Sequence, residues 1–145
     1  MNTFSTSLHA RIHQLFDERA AQAADHPFLF MPDRVMTLGQ LAVQVDALEA
    51  ELREAGVRLG DRVLVAAENC PEHVALVLAC SRVGAWACGV NARMTASELA
   101  GFAAKADARV LYFTVGVSPA ARQHAQQYDT CASVLPALRR TLADP

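Results

Sequence analysis

Glycine is sparse in this chain, 7 in 145 residues, and none lies between Ala66 and Val83. A dinucleotide-binding unit needs glycines in the turn after its first strand, so that the backbone can approach the pyrophosphate. The turn in question, Ala67-Glu68-Asn69-Cys70-Pro71, has none. Gly-Lys-Ser, Gly-Lys-Thr, Gly-x-Ser-x-Gly and His-Glu-x-x-His are missing as well, which excludes the P-loop, nucleophile-elbow and zincin readings. Excess charge of one sign is also missing: 13 Lys and Arg stand against 15 Asp and Glu. A near-neutral, interspersed balance leaves no footprint for nucleic acid.

Cysteine is limited to positions 70, 80, 88 and 131, with no Cys-x-x-Cys pair, so the four read as small hydrophobes rather than zinc ligands. The histidines at 9, 13, 26, 73 and 124 are scattered and read as surface residues. His9 and His13 share a helical spacing, but no Glu or Cys nearby completes a metal site. Long apolar runs are absent too. The most apolar stretch, Val74 to Val90, is broken by Ser81, Arg82, Gly84 and Gly89, whereas a spanning helix needs about 20 apolar residues. Met1 to Ala10 shows no basic stretch followed by an apolar run. The expectation is a cytoplasmic protein with no membrane span.

What the chain does have is apolar content, 52% of its residues, enough for a packed core. Leu8, Ile12, Leu15, Phe16, Ala20 and Ala23 recur at helical spacing, predicting a helix over 8–24 that His26-Pro27 ends. Runs 28–30 and 34–36 flank Pro32-Asp33 as a hairpin. Thr37 and Gln40 form a capping box for a helix to Ala55, with Leu38, Leu41, Val45, Leu48 and Leu52 on one stripe. Gln44, Glu49, Glu51 and Arg53 fall off it. Burying that stripe contributes roughly 10 kcal/mol before entropy, against about 1 for the cap. Gly56 is the left-handed stop.

Beyond Gly60-Asp61 the pattern predicts strands at 62–66, 86–90 and 109–113. Between them lie a helix over 71–83 with no polar face and a second capped helix from Thr95 to about Lys105. Apolar strands alternating with helices argue for a βαβαβ parallel sheet with flanking helices. After Thr114 the signal weakens to a short polar helix over 120–127 and a stretch, 131–142, that Pro136 keeps from being a long helix.

One linear resemblance goes further. Thr37-Leu38-Gly39-Gln40-Leu41 and Gly56-Val57-Arg58-Leu59-Gly60-Asp61-Arg62-Val63 are similar, in order and spacing, to the N-terminal pattern of the acyl-CoA synthetases. Asn69-Cys70-Pro71-Glu72, Ala79 to Ala85, Asn91-Ala92-Arg93-Met94-Thr95 with Glu98-Leu99, and Asp107-Ala108-Arg109-Val110-Leu111 continue the match. Leu38 stands where that family often has an aromatic residue, Gly39 weakens the first helical turn, and Gly89 and Ala92 replace usual prolines. Each matching residue reads as scaffold: Gly60-Asp61 turns the chain, Pro71 starts a helix, and Gly84-Ala85 brings it close to the sheet.

The resemblance implies an incomplete N-terminal AMP-binding-type domain over 1–145, with helix plus hairpin in 1–36, the core in 37–113 and a weakly defined tail in 114–145. It implies a whole enzyme that joins a carboxylate to AMP from ATP and passes the acyl group to a thiol. ATP, Mg²⁺ and coenzyme A are its cofactors, held by motifs not found before Pro145. The segment alone is therefore expected to be inactive, and no catalytic, cofactor-binding or metal-ligating residue is named within it. Its expected partner is the remainder of the adenylating domain, or a second copy through exposed apolar surface. The rival reading is a non-catalytic stub or small interaction module derived from such an enzyme.

Overall fold

The computed structural model describes residues 10–142. In chain order it holds α1 (Ile12–Gln22), β1 (Pro27–Phe30), β2 (Val35–Thr37), α2 (Leu38–Glu54), β3 (Arg62–Ala67) and α3 (Pro71–Val83). There follow β4 (Trp86–Asn91), α4 (Ala96–Ala106), β5 (Ala108–Phe113), α5 (Pro119–Ala125), β6 (Thr130–Ala132) and β7 (Arg139–Thr141). Leu8 and His9, which the sequence places in the first helix, lie outside the described residues.

Local chemistry sets the boundaries. Thr37 Oγ1 accepts from the Gln40 N–H at 3.2 Å while Gln40 Oε1 accepts from the Thr37 N–H at 2.9 Å, so α2 starts where its reciprocal cap forms. Thr95 and Glu98 repeat the device at α4. Pro71 opens α3, and Gly84 closes it at φ 79°, its N–H reaching the Cys80 and Ser81 carbonyls. An L side chain is strained in that conformation. Here it would also meet Leu59 Cδ1 at 2.6 Å.

β1 and β2 form a separate antiparallel hairpin, and the main sheet has the order β4-β3-β5-β7-β6. β3 lies between β4 and β5, parallel to both, with Val63 beside Ala87 and Val110. This is the expected parallel unit. The sheet then continues past expectation: β7 runs antiparallel to β5, and β6 antiparallel to β7. Those two strands have 3 residues each, too short for a period-two pattern to show in sequence.

Alternation along β3 divides the core. Val63 and Val65 face α1, α2 and α3, while Leu64 and Ala66 face α4 and α5. All five stripe residues of α2 are at most 1% exposed. α1 differs from its sequence pattern: Phe16 and Ala20 are buried, but Ile12 and Leu15 are each 60% exposed. It packs mainly against α2 and α3, with Phe16 also meeting the Phe28 ring of β1 at 6.3 Å between centroids, and its outer face stays uncovered. Gly39 also departs from its reading as a mere weakness. Its N–H donates to the Ala24 carbonyl at 2.8 Å, and a Cβ there would sit 3.1 Å from Ala24. The glycine lets the start of α2 pass close to the chain after α1.

Candidate functional site

Open parallel sheets present ligands beyond the carboxyl ends of their strands. Here that surface is made by the loops after β3, β4 and β5, which carry Glu68, Asn91, Arg93 and Thr114. Thr114 is fully buried, and its Oγ1 accepts from the Glu68 N–H at 3.0 Å. Asn91 Oδ1 accepts from the Arg93 N–H at 2.9 Å, folding the turn after β4. Arg93 Nε then donates to Glu68 Oε1 at 2.7 Å, although the arginine side chain is 76% exposed. The loops are thus tied to one another rather than left open.

This arrangement does not fit a nucleotide polyphosphate. Such a group needs several backbone N–H donors converging on it. The Glu68 N–H is taken by Thr114 and the Arg93 N–H by Asn91, and the one cation of these loops already carries a carboxylate. Among the described residues no group of three His, Cys, Asp or Glu is placed to hold a metal ion.

His124 corrects the reading of the histidines as surface residues. It is 6% exposed, and its Nε2 lies 3.1 Å from the Ala92 carbonyl and 3.0 Å from that of Met94. Two acceptors require that this nitrogen carry the proton and donate. α5 is thereby clamped to the turn after β4. His73 is half-buried, its basicity lowered by that burial. Its ring leaves no free space at Gly89, where a Cβ would lie 3.2 Å from Nε2. His13 Nδ1 meets Ser81 Oγ at 2.8 Å, and His26 is exposed. Burial pushes the Cys70 thiol up to about 11 and the Cys80 thiol up to about 12. Both stay protonated near neutrality, as structural cysteines do.

Two polar centres escaped the sequence reading. Arg82 pairs with Asp17, Asp46 and Glu49, joining α3 to α1 and α2. Glu51, read as lying off the α2 stripe, is 7% exposed. Its carboxylate accepts from Tyr112 Oη at 2.8 Å, Ser133 Oγ at 2.8 Å and the Val134 N–H at 2.6 Å. Arg140 Nε stands 3.5 Å away, an ion-pair distance rather than a hydrogen bond. Position 51 is three residues from Leu48, on the flank of the apolar stripe, so helical spacing held the signal.

A family model described as "AMP-binding enzyme" matches residues 16–143. Pyochelin synthetase PchE of Pseudomonas aeruginosa is 40% identical over 74 residues, 51% of this chain and 5% of that protein. A 2-hydroxy-7-methoxy-5-methyl-1-naphthoate–CoA ligase of Streptomyces carzinostaticus is 34% identical over 76 residues, 52% of this chain and 14% of the ligase. In structure, the N-terminal subdomain of Klebsiella oxytoca NpsA, solved with 3-hydroxyanthranilyl-AMSN, superposes with a TM-score of 0.65 at 30% identity. That match covers 70% of this chain and 26% of the subdomain. The chain therefore spans well under a third of each of these relatives.

Proposed function

Because the chain belongs to the AMP-binding enzyme family, we propose that it forms the opening scaffold of an ATP-dependent acid–thiol ligase that works through an acyl-adenylate. The observation carrying this reading is the match over 16–143 combined with the 26% share of the solved subdomain. Within that share, the residues at the carboxyl ends of the strands are engaged with one another. The groups that bind ATP, Mg²⁺ and the thiol, coenzyme A in the acyl-CoA branch, then lie on chain outside these 145 residues. The division into helix plus hairpin, core and tail at residues 36 and 113 belongs to the same proposal. So does a cytoplasmic location, where ATP is at hand. No helix among the described residues is long and apolar enough to cross a membrane.

In the whole enzyme the role of this segment is positional. β3, β4 and β5 hold the sheet at a fixed register, and the Glu68–Arg93 and His124 ties fix the loops above it. The test is acid-dependent exchange of pyrophosphate into ATP by the 145-residue chain. We expect none with aliphatic or aromatic acids, and no saturable ATP binding by calorimetry below about millimolar concentration. Exchange that purifies with the chain and disappears in R93Q or E68Q would refute the scaffold reading, because the chemistry would then use residues assigned here to structure.

A further inference from the structure

Arg122 and Arg139 line one cleft of about 490 Å³ between α5 and the β6–β7 pair. Both guanidinium groups are held by neutral oxygens. Arg122 Nη1 donates to the Val115 carbonyl at 2.5 Å. Arg139 donates from Nε to Thr130 Oγ1 at 3.0 Å and from Nη2 to the Thr130 carbonyl at 2.8 Å. Neither has a carboxylate within ion-pair distance among the described residues, whereas Arg53, Arg62, Arg82, Arg93 and Arg140 each have one. Asp129 also lines the cleft but pairs with neither arginine, so both guanidinium forks keep donors free of a carboxylate.

A guanidinium carries five N–H donors in a rigid fork. Most of them remain unused here, on side chains whose direction is already fixed. Fixed donors lose little freedom when a ligand arrives. Gln126 and Thr130 add polar groups to the lining, and Val115, Ala125 and Tyr128 supply its apolar part, the Tyr128 ring being seated against Phe113 at 5.5 Å between centroids. The cleft therefore combines a fixed pair of cations with a wall for an organic group, and its volume suits a small molecule.

We propose that this cleft binds a small phosphomonoester, with Arg122 and Arg139 on the phosphate and Tyr128, Val115 and Ala125 against the organic part. With Asp129 in the lining the two arginines leave a formal charge of +1, so the choice rests on donors: a phosphate group offers three acceptor oxygens to the two forks, where a carboxylate offers two. The site shares Val115 with the loop after β5 but none of Glu68, Asn91, Arg93 and Thr114, and it does not depend on the ligase reading.

Titration calorimetry of the 145-residue chain at low salt, with phenyl phosphate, inorganic phosphate and benzoate as probes, tests the proposal. Phenyl phosphate should bind one to one in the millimolar range, tighter than inorganic phosphate and benzoate. R122Q and R139Q should each weaken it by about tenfold, and R58Q, which changes an exposed arginine outside the cleft, should leave it unchanged. Arg139 also braces Thr130, so R139Q can disturb the hairpin; the exposed Arg122 keeps the test decisive. Three results would overturn the proposal. They are no saturation by about 20 mM phenyl phosphate, an R122Q affinity equal to the parent's, and an equal loss in R58Q. Inorganic phosphate or benzoate binding as tightly as phenyl phosphate would count against the phosphomonoester.

Discussion

Glu51 illustrates how one residue can tie distant parts of the chain together. Its carboxylate collects donors from Tyr112 on β5 and from Ser133 and Val134 before β7, with Arg140 of β7 beside it. A hydroxyl in this buried setting meets a negative charge, and burial with Glu51 beside it pushes the Tyr112 phenol far up, so it stays protonated and donates. Removing the carboxylate would strand those donors and leave Arg140 without its countercharge. Breaking a buried ion pair from one side costs about 3 to 5 kcal/mol. E51A should lose stability on that scale in urea melts, and the cycle with Y112F should show a coupling of about 0.5 to 3 kcal/mol. Additive effects in that cycle would mean that the two groups act independently. The sequence carried the helical spacing of Glu51 but not its partners, because all four lie more than sixty residues away, three of them on segments without a periodic pattern.

At the level of elements, legibility followed burial on one face. α2 was readable end to end because its cap is local and its stripe is uniform. Leu48 is fully buried within that stripe, and L48A should cost about 2 to 5 kcal/mol, measured as a lowered midpoint with an unchanged denaturant slope. A loss below about 0.5 kcal/mol would mean that the stripe does not carry the packing. The parallel strands were readable for a different reason, being short runs that are apolar on both faces. α1 was overread, since its pattern does not reveal that only part of it meets a neighbour. At the candidate site, the glycine-free loop was legible in the sequence and Arg93 only as a scaffold residue of the family pattern, whereas the Glu68–Arg93 tie and the His124 clamp depend on which loops the sheet brings together.

The junction of α2 and α3 also has a pH dependence. Burial alone would raise the Glu49 carboxyl, but hydrogen bonds and charge from Arg53 and Arg82 hold it below its ordinary 4.5. A carboxyl lowered by folding contributes stability that is present above its unfolded pKa and lost as pH falls through its folded one. The melting temperature should therefore drop as pH falls from about 4.5 toward 3, and R82M should flatten that drop. An equal slope in R82M would assign the acid sensitivity to other carboxyls.

For the whole molecule, the two rims of the sheet are unlike. β6 ends one rim with only 3 residues, and short edge strands resist pairing. β4 ends the other rim over 6 residues, Trp86-Ala87-Cys88-Gly89-Val90-Asn91, with no charge and no proline. Lysine, proline and bulges are the usual devices that keep such an edge from pairing with another chain, and β4 has none of them: its register against β3 runs without a break. Trp86 on this strand is 69% exposed, and Phe102 on α4 is 50% exposed. Exposed apolar surface beside an unpaired edge favours association. We therefore expect the 145-residue chain to form oligomers, or to precipitate, at about 10 to 100 µM in light scattering. W86K places a charge at the start of the edge on a side chain that contributes little to the core. It should shift the mass toward monomer while leaving the denaturant midpoint within about 0.5 kcal/mol of the parent. A parent chain that stays monomeric across that range would show that β4 is protected in a way its sequence does not reveal. A W86K variant that still associates would move the contact to another surface, with the exposed Phe28, Phe30 and Val35 of the β1–β2 hairpin the next to replace.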